Sequence, residues 1–239
     1  LVPMEAGTAS GNGTIVIQTR LDHDTRQRQI VEAAREIIAA GGTEALTVNA
    51  IAARVGVSEA ALYRHVQGKD EVLLLLVDDI RESLFEEISR ATGRDGAALE
   101  KLEHLLQLHL SYVESRQGIS FVVIAEALQF VERGVGAAVK RLVDDYLEFV
   151  EGIVEDGQLR GEIHPDVEAS AAATAFFGMV QAKVMRWLFD AKKHPLTESA
   201  SALWGLFRAG LTAPREYEAQ AVGTGGSFGR LAEADRTGG

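Results

Sequence analysis

The chain has 239 residues, 46% of them hydrophobic, 25% charged and 6% aromatic, with a formal net charge of -11. Those proportions describe a soluble globular chain long enough to bury a core, as one large domain or two smaller ones. The absence of cysteine excludes disulfides, thiolate metal sites and a cysteine nucleophile, and the acidity counts, at first sight, against nucleic acid as a partner.

Residues 1–22 are rich in Gly, Ser and Thr and read as a flexible arm with neither the basic region nor the apolar core of a signal peptide. The first predicted helix is capped by Asp24 or Thr25, carries Ile30, Ala33, Ala34, Ile37 and Ile38 as one stripe, and ends at Gly41-Gly42. Short helices follow over Thr47–Val55, stopped by Gly56, and over Ser58–Val66, stopped by Gly68. A long fourth helix covers Lys69 to about Ala91. Further helices are predicted over Ala97–Ser115, Ile119–Val131, Gly136–Gly157, Pro165–Ala191 and Thr197–Leu211, with Pro165 in the first turn of its helix.

No stretch approaches the roughly 20 apolar residues of a membrane-spanning helix, and none alternates with period two for long enough to be a strand. From Pro214 the chain reads as a disordered tail, and its GTGGSFG run has neither the strand before it nor the helix after it that a phosphate loop needs. The fold class is all-α.

The most informative stretch is Leu46–Lys69, LTVNAIAARVGVSEAALYRHVQGK. Ala52 is small where two helices must cross, Gly56 suits a left-handed turn, and Ser58 is a good N-cap. Ile51, Val55, Val57 and Leu62 supply the apolar contacts. This is the pattern of a helix-turn-helix whose second helix enters the major groove. A helical corner inside a larger bundle would have the same small and apolar residues. It would not need the outward mixture of Glu59, Ala60, Tyr63, Arg64 and His65.

Residues 25 to 70 resemble the N-terminal domain of the TetR family of bacterial regulators. The likeness rests on IVEAAREIIAAGG, on the string G-V-S-x-x-x-L-Y-x-H and on the G-K that follows it. It implies an N-terminal helix-turn-helix domain over 23–70 (motif 47–66), joined by the long fourth helix to a helical ligand-binding and dimerisation domain over 71–213. A tail, 214–239, would follow. It also implies a cytoplasmic homodimer that binds a double-stranded DNA operator and has no enzymatic activity and no cofactor.

By the same resemblance Thr47, Asn49, Ser58, Glu59, Ala60, Ala61, Tyr63, Arg64, His65 and Lys69 form the DNA-binding set. Tyr63 and His65 match phosphate-contacting positions, and Lys69 adds a point charge at the positive dipole end of the fourth helix, which suits a phosphate oxygen. Arg64 is the candidate for base reading, because its fork fits two acceptors of guanine. Glu59 either accepts from cytosine or supports the first turn of its own helix. Basic and acidic residues balance over residues 20–70, so the acidity belongs to the rest of the chain.

The C-terminal part holds no catalytic constellation. His104 and His109 fall on different helix faces, which removes the obvious metal pair. Two helices carry more apolar residues than one neighbour can cover, and the family places its dimer interface on its last two helices. Phe176, Val180, Val184, Trp187, Leu203, Trp204 and Phe207 are therefore expected at that interface, intrachain core being the alternative. An effector pocket for a mostly apolar small molecule is expected from His109, Tyr112, Phe121, Glu126, Gln129, Phe130, Phe177 and Gln181. The stretch VGVSEAALYRH is also similar to that of nucleoid-occlusion-type members of the family. Such a protein would act on a cell-division partner without a small-molecule effector.

Overall fold

The computed structural model describes residues 12–93, 96–127 and 134–212. Every regular element among them is helical. Helix α1 spans Asn12–Gly41, α2 Val48–Val55, α3 Glu59–Leu62, α4 Lys69–Thr92 and α5 Ala98–Ser115. Helix α6 spans Ile119–Ala127, α7 Gly134–Leu159, α8 Ala169–Phe189 and α9 Ala200–Thr212. Among the described residues no helix is long and apolar enough to cross a membrane.

Local chemistry sets the corners of the N-terminal head. The stripe predicted on α1 is the buried one, with Ile30 and Ala34 fully inaccessible. After α1 the backbone turns at Gly42 into a single 3-10 turn, Thr43–Ala45. Thr47 caps α2 by accepting from the Ala50 amide at 3.1 Å, and Ser58 caps α3 by accepting from the Ala61 amide at 3.2 Å. Between them Gly56 closes α2 in the left-handed conformation, φ 78°, and donates its amide to the Ala52 carbonyl.

Two apolar clusters follow. The first joins α1, α2, α3 and the first half of α4, and it continues through α6 into the start of α7 by way of Ile119, Val123, Val135 and Leu142. The second fills the space between α5, α7, α8 and α9 and takes Leu84 and Ile88 from the end of α4. Helix α4 thus belongs to both cores. Each Leu or Ile sealed in this way contributes about 1.5–3 kcal/mol, so head and body are joined by substantial apolar burial and not only by a linker.

The elements differ from the sequence reading in four places. Residues 12–22, assigned to a flexible arm, continue α1 toward its amino end. No proline interrupts them, and extending an existing helix adds a hydrogen bond for each residue fixed. Helix α3 ends at Leu62, short of Val66, because the His65 amide bonds the Leu62 carbonyl at 2.8 Å and tightens the chain into turns.

Pro165 lies before α8, not in its first turn. Gln158 Nε2 donates to the carbonyls of His164, Pro165 and Val167, and the His164 amide bonds the Leu211 carbonyl. The connection is therefore pinned as an irregular loop. Helix α9 starts at Ala200, immediately after Ser199 at φ 63°. Residues 128–133, at the predicted end of α6, and the tail from 214 lie outside the described residues.

Candidate nucleic-acid interface

The head presents one solvent-facing edge from α2 and α3. Leu62 is fully buried and Ile51 lies beneath it, so the rotation of α3 is fixed from inside. That rotation leaves Glu59, Ala60, Tyr63 and Arg64 exposed, with Ala61 half-buried; Tyr63 keeps 45% of its surface accessible. Thr47, Asn49 and Ser58 are exposed at the N-terminal ends of the two helices. The Thr47 and Ser58 oxygens accept cap bonds, which leaves each hydroxyl proton free to donate outward. A planar guanidinium, a phenol and hydroxyl donors on one convex edge match a duplex groove flanked by phosphates.

His65 is half-buried behind this edge. Its ring meets that of His23 edge to face at 5.4 Å, and its Nδ1 is buried with no hydrogen-bond partner. Burial, followed by the charges of His23, Arg26 and Arg64, lowers its pKa below 6.5. His65 therefore resists protonation, and the positive charge on this flank comes from Arg26 and Arg64.

Lys69 opens α4, as predicted, but is engaged from within the molecule. Its Nζ lies 2.8 Å from Glu126 Oε1 on α6, and Thr43 Oγ1 donates to Glu126 Oε2 at 2.8 Å. The hydrogen bond from Lys69 holds the Glu126 carboxyl below its usual range despite burial. The Glu126 carboxylate, expected to anchor an effector, is here engaged at the junction of head and body.

A second junction is centred on Asp79 of α4. It pairs with Arg35 of α1 and, at 3.0 Å, with Arg116 just past α5. The Arg116 guanidinium lies over the Tyr112 ring at 4.6 Å, while the Tyr112 hydroxyl meets Ser83 Oγ at 2.8 Å. Tyr112, also expected in the pocket, is engaged in this α4–α5 contact.

The remaining pocket candidates divide. His109 is sealed between helices, its Nδ1 2.8 Å from the Tyr146 hydroxyl, and Tyr146 stacks at a tilt on Phe177 at 5.6 Å. Burial lowers the His109 pKa from 6.5 to about 4 and raises that of Tyr146, so the pair is neutral. Phe121 and Gln181 are half-buried, and Gln129 and Phe130 lie outside the described residues. The sequence reading missed Tyr146, Thr43, Arg35, Asp79 and Arg116. No local pattern marks them, since each acts through a partner far along the chain.

Most of the residues expected at the dimer interface lie inside the protomer. Phe176, Val180 and Val184 are fully buried, Trp187 and Trp204 nearly so, and only Leu203 and Phe207 are half-buried. Helix α8 turns its heavy stripe inward against α5 and α7. Its outer face is Ala175, Gly178, Ala182, Met185 and Phe189, beside Gly205, Leu206 and Ala209 of α9. Phe189 is 82% and Leu206 76% exposed. A groove of about 510 Å³ borders this face, with Trp187 and Leu203 in its wall and none of the expected effector residues.

A capped helix-turn-helix on an all-helical body defines a DNA-binding regulator. Residues 30–76 match the family described as bacterial regulatory proteins, tetR family, and residues 78–210 match the YsiA-like protein, C-terminal region, of its TetR_C_4 model. The chain belongs to the TetR family. It is 28% identical over 186 residues to the nucleoid occlusion factor SlmA of Aliivibrio fischeri (strain MJ11), spanning 77% of this chain and 94% of that one. The fold is shared with the fatty acid degradation regulator FadR from Bacillus halodurans (TM-score 0.70, 21% identity, 79% of this chain and 97% of that one). It is shared also with FadR from Bacillus subtilis in complex with stearoyl-CoA (TM-score 0.68, 23% identity, 77% and 98%).

Proposed function

We propose that the protein is a homodimeric repressor that binds a palindromic operator and is released by a mostly apolar small molecule, with a fatty acyl thioester as the first candidate. The observation that carries the dimer is the outer face of α8 and α9. Small residues there allow close helix approach, and Phe189 and Leu206 stand in water without intrachain cover. A two-fold pairing of that face would give two α3 edges related by the symmetry of a palindromic duplex site. Arg64 reads a base edge, and Thr47, Asn49, Ser58, Tyr63 and His65 address phosphates and groove edges, with Glu59, Ala60 and Ala61 lining the approach.

The effector reading rests on the neutral His109–Tyr146 pair with Phe177 beside it. A neutral donor–acceptor pair inside an apolar core suits a carbonyl on an otherwise apolar chain once the helices part to admit it. The solved stearoyl-CoA complex of a FadR with this fold agrees in ligand chemistry. Such a ligand acts only by preferring one arrangement of the two heads. The test is a footprint on DNA upstream of the protein's own gene, with stearoyl-CoA added. Protection of one palindrome that is lost on addition supports the reading; an unaffected footprint rejects the thioester. Because the head is neutral, binding should depend only shallowly on salt, well short of roughly ten released ions per dimer.

A second reading, favoured by the similarity to SlmA over most of that protein's length, is a nucleoid-occlusion-type protein that contacts a cell-division partner. Genome-wide footprinting separates the two. Many dispersed sites favour this reading, and one or a few operators favour the repressor.

A further inference from the structure

Helix α6 is held at both ends by parts of the molecule with different tasks. At its start, Lys192 Nζ reaches from the loop after α8 to the Gln117 carbonyl at 2.9 Å and the Gln117 side-chain oxygen at 3.1 Å. Gly118 there sits so close to Leu188 and Trp187 of α8 that a Cβ would lie 2.9 Å from Leu188 Cδ2. Toward its end, Glu126 is bound by Lys69 and Thr43 of the head. The C-terminal end of α8 and the first residue of α4 are thus connected through one nine-residue helix.

The chemistry at the head end resembles what a DNA backbone would offer. A carboxylate with one oxygen on an ammonium and the other on a hydroxyl repeats the contacts a phosphate makes. The Glu126 side chain is 9% exposed and that of Lys69 30%. The pair is therefore partly shielded from solvent, yet the lysine is not sealed in. While Lys69 neutralises Glu126 it cannot also displace a counterion from DNA.

We infer that Glu126 is a tethered competitor of the DNA backbone for Lys69, so that the position of α6 decides whether the lysine adds to DNA affinity. The inference rests on the proposed placement of Lys69 beside DNA and needs no particular effector. A shift of α6 away from the head frees Lys69 and strengthens binding; a shift toward it withdraws one cationic contact per protomer. Thr43 holds the carboxylate in the competing position.

The test uses the full chain and a fluorescein-labelled random-sequence duplex, followed by anisotropy over a range of salt concentrations. Glu126→Gln should bind several-fold more tightly, and the slope of log affinity against log salt should steepen by about 0.9 for each lysine released. Lys69→Ala should cost little alone and should remove the whole gain in the Glu126→Gln background. Should the Gln variant melt early, Glu126→Asp withdraws the carboxylate by one methylene and is expected to shift affinity the same way.

Equal affinity and slope for Glu126→Gln and the parent overturn the inference. Equal costs of Lys69→Ala in both backgrounds do so too, because Lys69 then leaves Glu126 freely. If Glu126→Gln binds more tightly and keeps its full gain when Lys69→Ala is added, while Arg64→Ala still weakens binding, the placement of Lys69 beside DNA fails and the helix-turn-helix reading survives.

Discussion

The Nδ1 of His109 and the hydroxyl of Tyr146 stand 2.8 Å apart inside the C-terminal core, and burial keeps the imidazole neutral by lowering its pKa from 6.5 to about 4. The unfolded chain therefore takes up a proton at His109 before the folded one does. This contribution to stability is complete above pH 6.5 and is lost as the pH falls toward 4. The loss approaches about 3 kcal/mol at the acid end. Denaturant titrations at several pH values check it: His109→Gln should flatten the dependence between these limits, and parallel curves for parent and variant would contradict the assignment.

Arg64 is exposed on α3 and Leu62 beside it is fully buried, so the two should respond to truncation differently. Arg64→Ala is expected to leave the melting temperature unchanged and to weaken specific operator binding by about 1–3 kcal/mol. Leu62→Ala should lower stability by about 2–5 kcal/mol through the cavity it leaves. Thermal melts and footprints on the two variants separate recognition from support.

The division of α8 and α9 into buried and exposed faces makes a paired prediction. Phe176→Ala removes a fully buried ring and should cost about 3–5 kcal/mol of stability. Leu206→Glu alters a side chain that is 76% exposed and should leave the protomer folded while preventing self-association. Sedimentation velocity combined with circular dichroism reads both. A Leu206→Glu variant that remains dimeric would move the interface elsewhere.

Two glycines differ in a way that substitution can measure. Gly56 has φ 78° with open space where a Cβ would stand, whereas Gly118 has φ 80° with Leu188 Cδ2 at 2.9 Å from that position. Gly56→Ala should therefore lose only the left-handed penalty, about 1–2 kcal/mol. Gly118→Ala should lose more, since it also pushes α6 off α8. Equal melting temperatures for the two would mean that the α6–α8 contact yields easily.

What the sequence determined by itself is what neighbours along the chain decide. The caps of Thr47 and Ser58 act within three residues, Gly56 closes α2 through its own φ, and the stripe from Ile30 to Ile38 repeats at helical spacing. These features, with the string through Tyr63 and His65, were enough to read the helix-turn-helix and its exposed edge. Helix ends were less legible. Pro165 and the end of α3 are fixed by bonds from Gln158 and by the turn at His65, which no periodicity reports.

Only the tertiary structure decided which partner each polar or aromatic group has. Lys69 meets Glu126 57 positions away, and His109 meets Tyr146 37 positions away. Helix α8 is apolar around most of its circumference, so composition could not say which face α5 and α7 would cover. Packing chose the larger side chains, because burying Phe176, Val180 and Trp187 removes more apolar surface from water than burying Ala175, Gly178 and Ala182. The face left outside is the one that a second copy is proposed to cover.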